Sequence, residues 1–182
     1  MKHLQASQEG FTLLECLVAV ALMAILTVLA VPGFRDQLVR RSVLVTAEAL
    51  VSDLRFARAE AIKRGAQVSV CRSANGNACS ASGNWVEGWI VFVDRNPKGV
   101  VDPGDELLRV QSRQTQLESI ASDNPGTDKA SFNFLPMGTS GPATQTFKLT
   151  PVAPAPSNSL RVICVSSQGR PRLAPAGASS CS

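Results

Sequence analysis

The chain has 182 residues, 45% of them hydrophobic and 18% charged, with a formal net charge of +4. That length holds one modest domain with a core of its own plus an anchor segment. His3 is the single histidine, so histidine-based acid–base or nucleophilic chemistry has no residue to carry it in the body of the chain. No phosphate loop or dinucleotide fingerprint occurs, and the acidic residues fall mostly in turns. The chain is therefore expected not to be an enzyme and to hold no cofactor and no metal.

A short polar leader, 1–10, comes first, followed by Gly10-Phe11-Thr12-Leu13-Leu14-Glu15. From 16 to 34 no charged residue occurs, a run close to the ~20 apolar residues that cross a bilayer as a helix. Residues 11–34 are expected to be a transmembrane helix. Glu15 is the anomaly, because a carboxylate there costs energy unless it is shallow or paired. A signal anchor is one competing reading; a secretory signal peptide, cut after its apolar region at a small residue, is another. Pro32 and Gly33 predict a kink or a locally melted turn. Arg35, Arg40 and Arg41 follow the span, which by the positive-inside rule weighs against a head outside the cytoplasm.

Residues 35–64 read as an amphipathic continuation of the helix. Val43, Ala47, Leu50, Leu54, Ala57 and Ala61 recur at steps of three and four. Arg40, Glu48, Ser52, Arg55, Ala59 and Lys63 lie mostly opposite. Glu60 and Arg64 are spaced for a surface ion pair, and Gly65 sits where a cap belongs. Residues 11–64 would span roughly 80 Å as one helix, and the apolar stripe needs a sheet to cover it.

Residues 65–182 read as a β-rich head. Cys16 lies in the apolar run; the head carries Cys71, Cys79, Cys164 and Cys181. Four cysteines allow three pairings. Nearest neighbours, Cys71 with Cys79 and Cys164 with Cys181, close loops rich in Gly, Ser or Pro and are the expected pairs. Zinc would call for closer ligand spacing. Disulfides point to an oxidising compartment, which for an anchored chain means the bacterial periplasm or the cell exterior.

Strands are expected at 67–71, 85–94, 107–111, 114–120, 131–135, 144–150 and 160–166. Trp85 and Trp89 are expected in the core or covering the helix. The stretch 94–106 resembles a calcium loop in part, but Lys98 stands at a ligand position, and a turn is the better reading. Residues 123–129 and 151–159 read as turn and loop.

The last acidic residue is Asp128; Lys129, Lys148, Arg161, Arg170 and Arg172 follow with no acid. Gln168-Gly169-Arg170-Pro171-Arg172-Leu173 lies between Cys164 and Cys181. With an extended backbone around Pro171, Arg170 and Arg172 face one side. Two guanidinium forks match phosphate oxygens. A basic terminal strand with no ligand is the plainer alternative. The tail carries no aromatic residue for base stacking, so any DNA contact is expected to ignore sequence.

The block from Gly10 to Glu15 resembles the processing site of type IV pilins and type II secretion pseudopilins. The resemblance implies cleavage after Gly10 by a prepilin peptidase and N-methylation of the new Phe11 amine. It also implies a filament role for Glu15, whose carboxylate neutralises the Phe11 ammonium of a neighbour in an apolar core. Leu54-Arg55-Phe56-Ala57-Arg58-Ala59-Glu60-Ala61-Ile62-Lys63-Arg64-Gly65, with the strand after it, resembles a signature of the GspH/FimT family. Phe134, Pro136 and Gly138 form a Phe-x-Pro-x-Gly motif that recurs there. Gly169, Arg170, Pro171 and Arg172 match the Gly-Arg-x-Arg tail through which some FimT-type minor pilins of competent bacteria bind extracellular DNA. Lys148 and Arg161 are candidates to extend that patch.

The implied fold is α+β and type IV pilin-like: a long N-terminal helix, its first half membrane-spanning, packed on an antiparallel β-sheet head. The implied site is the bacterial inner membrane, single-pass with a periplasmic head, and then the pilus. The implied function is that of a minor pilin binding double-stranded DNA for natural transformation, with other pilins, the prepilin peptidase and the inner membrane as partners. A structural minor pilin that primes pilus assembly and a GspH-like type II secretion pseudopilin are the alternatives.

Overall fold

The computed structural model describes residues 11–124, 127–140 and 144–181, without the side chains at 28–32, 124 and 127–128. The expected leader, and with it Gly10, lies outside the described residues. Helix α1 (Leu13–Arg64) opens where the Thr12 hydroxyl accepts from the Glu15 N–H at 3.3 Å. Glu15 sits in the first turn, where the helix dipole favours a carboxylate. Helical structure continues through Pro32 and Gly33, so the expected melted turn does not form. One missing N–H is too small a loss to end a helix of 52 residues.

The chain divides into two compact units, Met1–Leu38 and Val39–Ser182. In the first, every described side chain from Phe11 to Leu38 is exposed, including Leu13, Leu14, Leu17 and Leu22. Among the described residues no helix is long and apolar enough to cross a membrane. The expected span, 11–34, includes the undescribed side chains at 28–32.

The second unit is built around the amphipathic stripe. Val43, Ala47, Leu50, Leu54, Ala57 and Ala61 are fully buried, while Arg40, Glu48, Ser52, Arg55, Ala59 and Lys63 are exposed. The stripe packs on two antiparallel sheets rather than one. The first has the order β3 (Glu106–Gln111), β2 (Trp89–Val93), β1 (Val68–Arg72), β6 (Ser131–Phe134). The second has the order β5 (Thr127–Asp128), β4 (Leu117–Asn124), β7 (Gln145–Pro151), β8 (Arg161–Val165), β9 (Pro171–Leu173). Val70, Trp89 and Phe134 from the first sheet and Phe147, Leu149 and Ile163 from the second close one core against α1.

Several boundaries differ from the sequence expectation. The expected strand 85–94 is split. Trp85–Glu87 is a 3-10 turn capped by Asn84, whose side chain accepts from the Val86 N–H, and only Trp89–Val93 joins a ladder. The Trp85 indole N–H donates to the Lys129 carbonyl at 2.9 Å, which holds the turn inward. The strand expected at 114–120 is shifted to Leu117–Asn124, and the stretch read as a turn at 123–129 carries the end of β4 and all of β5. An apolar run marks burial but does not tell a buried turn from a strand.

Acids of loop 94–106 accept from neighbouring backbone and side chains. Asp94 accepts from Gln67, Ser69 and the Gly99 N–H, and Asp105 accepts from the Arg95 and Asp102 N–H groups. The Gly65 backbone ends α1 at φ +61°.

Candidate nucleic-acid interface

The basic tail forms the last hairpin of the second sheet. β8 leads into a turn at 166–170, where the Gly169 N–H donates to the Ser166 carbonyl at 2.8 Å and the Ser166 N–H to the Arg170 carbonyl at 3.3 Å. β9, which was not among the expected strands, then pairs antiparallel with β8: Val165 opposite Pro171, Cys164 opposite Arg172, Ile163 opposite Leu173. Alternation sorts the side chains. Pro171 is buried and Leu173 packs on the main core, while Arg172 is exposed.

Cys164 and Cys181 are bonded, as are Cys71 and Cys79, with sulfur–sulfur distances of 1.98 and 2.02 Å. Each bridge lies with a small apolar cluster outside the main core: Cys71 with Ile90 and Phe92, Cys164 with Val162 and Ala174. The second bridge ties the end of the chain back to the outward side of β8.

Two glycines lock the turn in place. Gly138 (φ +76°) and Gly169 (φ +72°) hold backbone conformations that disfavour a side chain. A Cβ on Gly169 would also clash with the Gly138 carbonyl oxygen, and a Cβ on Gly138 would meet Ile62 of α1. The same Gly138 carbonyl accepts from Arg58 Nε at 2.9 Å. Ser140 adds two bonds, from its N–H to the Ser167 carbonyl and from its hydroxyl to the Ser166 carbonyl. The Phe-x-Pro-x-Gly turn is thus clamped between α1 and the tail hairpin. Gly169 does more than permit a turn: it lets the two motifs touch.

Arg170 and Arg172 are both exposed but have different neighbours. Arg170 sits in the turn and lines a recess of about 400 Å³ with Pro171 and, from α1, Arg55, Arg58, Ala59 and Ile62. Arg172 stands on the strand opposite Cys164. Lys148, on β7, is exposed on that same outward face, opposite Val162. It lines a second hollow with Asp123, Thr146 and Cys181. Arg161 pairs in register with buried Leu149, and its guanidinium donates to the Asn158 and Leu160 carbonyls. Arg161 therefore braces the loop before β8. Arg55 and Arg58 were not singled out as site residues. Their i, i+3 spacing on the polar side of α1 was visible, but their meeting with Arg170 was not.

At the foot of α1, Arg64 donates to Glu60 at 2.6 Å and to Glu106 at 2.6 Å. Its hydrogen bonds hold the Glu60 and Glu106 carboxyls below the usual carboxylate range, and the same pairing raises the Arg64 guanidinium further.

A helix packed on antiparallel sheets, preceded by an exposed apolar segment, is the α+β architecture of type IV pilins and pseudopilins. The family of the Type II transport protein GspH matches residues 46–169, well over half the sequence, and the chain belongs to that family. The match stops at Gly169, just short of Arg170 and Arg172. A prokaryotic N-terminal methylation motif matches residues 5–31. The pilin-like protein PilA1 of Thermus thermophilus is 28% identical over 170 residues, covering 92% of this chain and 99% of that protein. The fold is similar to the type IV minor pilin FimU of Pseudomonas aeruginosa, with TM-score 0.54, 21% identity, and coverage of 75% of this chain and 90% of that one. It is similar also to the minor pseudopilin EpsH of the Vibrio cholerae type II secretion system, with TM-score 0.54, 15% identity, and coverage of 78% and 99%. The family is structural and not enzymatic, and its members associate with other pilins after processing of the leader.

Proposed function

We propose that this chain is a minor type IV pilin that binds double-stranded DNA, without regard to sequence, through its C-terminal hairpin. The observation that carries the reading is the pinned hairpin itself. Arg170 and Arg172 are exposed at its tip and strand, in a third of the sequence that holds no acid after Asp128. A hairpin braced by a disulfide and by the Gly138–Gly169 contact loses little freedom on binding, so weak phosphate contacts count for more. The remaining parts of the reading are single-pass anchoring through 11–34, cleavage between Gly10 and Phe11, methylation of Phe11 and a filament role for Glu15. The match to the methylation motif over residues 5–31 supports them.

The test is a titration of duplex DNA into the Val39–Ser182 unit, which holds the whole main core, alongside Arg170→Ala/Arg172→Ala. Binding that weakens steeply with salt and is lost in the double variant is the expected result. An oxidised, folded head that binds no DNA at low salt sinks the reading. In cells, the double variant is expected to keep its pili and lose DNA uptake. Loss of pili would favour assembly priming, and loss of secreted enzymes would favour a pseudopilin.

A further inference from the structure

We infer that the recess between α1 and the tail hairpin is a second phosphate subsite, so that Arg55 and Arg58 of the helix bind the same DNA backbone as Arg170. This rests on the DNA-binding reading above and extends it to residues outside the tail.

The recess is lined by three guanidinium groups and no acid; Ala59, Ile62 and Pro171 complete it. Like charges gathered in one hollow repel, and the apolar lining reduces their screening by water. Three arginines of the second unit do meet carboxylates: Arg64 with Glu60 and Glu106, Arg109 with Asp53, Arg113 with Glu87. Among the described residues, no carboxylate pairs with Arg55, Arg58 or Arg170. An anion in the recess would supply the missing charge.

The donors are also oriented. Arg58 is held through Nε by the Gly138 carbonyl, which leaves its terminal nitrogens for another acceptor. Arg170 is fixed by the turn, whose N–H bonds to the Ser166 hydroxyl. Arg55 is exposed and lies one helical turn before Arg58, on the same side of α1. A phosphodiester suits this arrangement because its two free oxygens can accept from two guanidinium forks at once. The DNA strand then runs from the helix side of the hairpin, at the recess, toward Arg172 on the outward side.

The test uses the full chain in detergent micelles and a short random-sequence duplex, titrated over a range of salt. Arg55 is exposed and outside the core, so Arg55→Gln is expected to fold normally, with an unchanged melting temperature. It should weaken binding several-fold and make the slope of log K against log salt shallower by about 0.9, one phosphate contact. Arg55→Lys should keep the slope. Ala59→Glu, which adds an anion to the recess and removes nothing, should weaken binding likewise. If the wild-type chain binds, the Arg170→Ala/Arg172→Ala variant does not, and Arg55→Gln matches the wild type in affinity and slope, the recess proposal is overturned and the tail reading stands. If the wild-type chain binds no DNA, both are overturned. If Arg55→Gln keeps DNA binding but is excluded from pili, the recess takes an acidic side chain of a neighbouring subunit instead, and the proposal is again overturned.

Discussion

At the scale of single residues, the second unit is set by a few polar groups placed where only packing could bring them. Asp53 lies on the buried side of α1 with its side chain 2% exposed. It accepts from the Trp89 indole at 2.9 Å and pairs with Arg109 at 2.7 Å, and Arg109 lies 3.8 Å over the Phe56 ring. Asp53→Ala strands the buried indole N–H and is expected to cost about 1–3 kcal/mol in urea unfolding. Arg109 is partly exposed and can turn to water, which keeps the loss out of the higher range of fully buried pairs. Asp53→Asn, which can still accept from the indole, should cost less. Gly169→Ala combines left-handed backbone strain of roughly 1–2 kcal/mol with a clash on the Gly138 carbonyl. It should lower the melting temperature and weaken DNA binding together, since the hairpin must move. The Glu60 and Glu106 carboxyls titrate below their unfolded values, so their pairs with Arg64 stabilise the fold fully above about pH 5. That contribution is lost as pH falls through the depressed folded values. Arg64→Gln should flatten this acid-side loss in a series of thermal melts.

At the scale of elements, the amphipathic stripe of α1 was legible because its 3.6-residue period survives in the sequence, and all six apolar positions are fully buried. Strands β1, β6, β7 and β8 were legible to within a residue or two because they combine β-branched or aromatic residues with flanking turn residues. β9 was not. Three residues containing a proline carry no pattern of their own, and the strand exists because β8 offers an edge and the Cys164–Cys181 bridge holds the chain beside it. Cys164→Ser/Cys181→Ser is therefore expected to loosen the tail more than the core. A 17-residue separation corresponds to about 3 kcal/mol of loop-closure stabilisation. Hydrogen exchange should speed up most at the Ala174 N–H, which donates to the Val162 carbonyl at the end of the hairpin. Equal acceleration in β1 and β2 would show that the bridge supports the whole head rather than the tail.

At the scale of the molecule, the two units make different demands on their surroundings. Phe11–Leu38 presents Leu13, Leu14, Leu17, Leu22 and Leu26 outward, an apolar surface far larger than a water-soluble monomer normally shows. Val39–Ser182 closes its main core between the inner faces of two sheets and one helix. The head alone is expected to be a soluble monomer by size-exclusion chromatography, and the full chain to need detergent or lipid. A head that aggregates without residues 1–38 would show that the exposed segment is needed for folding as well as for anchoring.

The sequence by itself determined what depends on short-range order: the apolar run and its processing block, the period of the helix, the cysteine-rich head, the acid-free final third and the family they define. Only the tertiary structure decided how the head splits into two sheets, how Asp53 meets Trp89 and Arg109, and how Arg55 and Arg58 come to share a recess with Arg170. These contacts join residues from opposite ends of the second unit, and no local propensity encodes them. They arise when the helix stripe, the Gly138 turn and the tail hairpin are pressed together by burial of one common core.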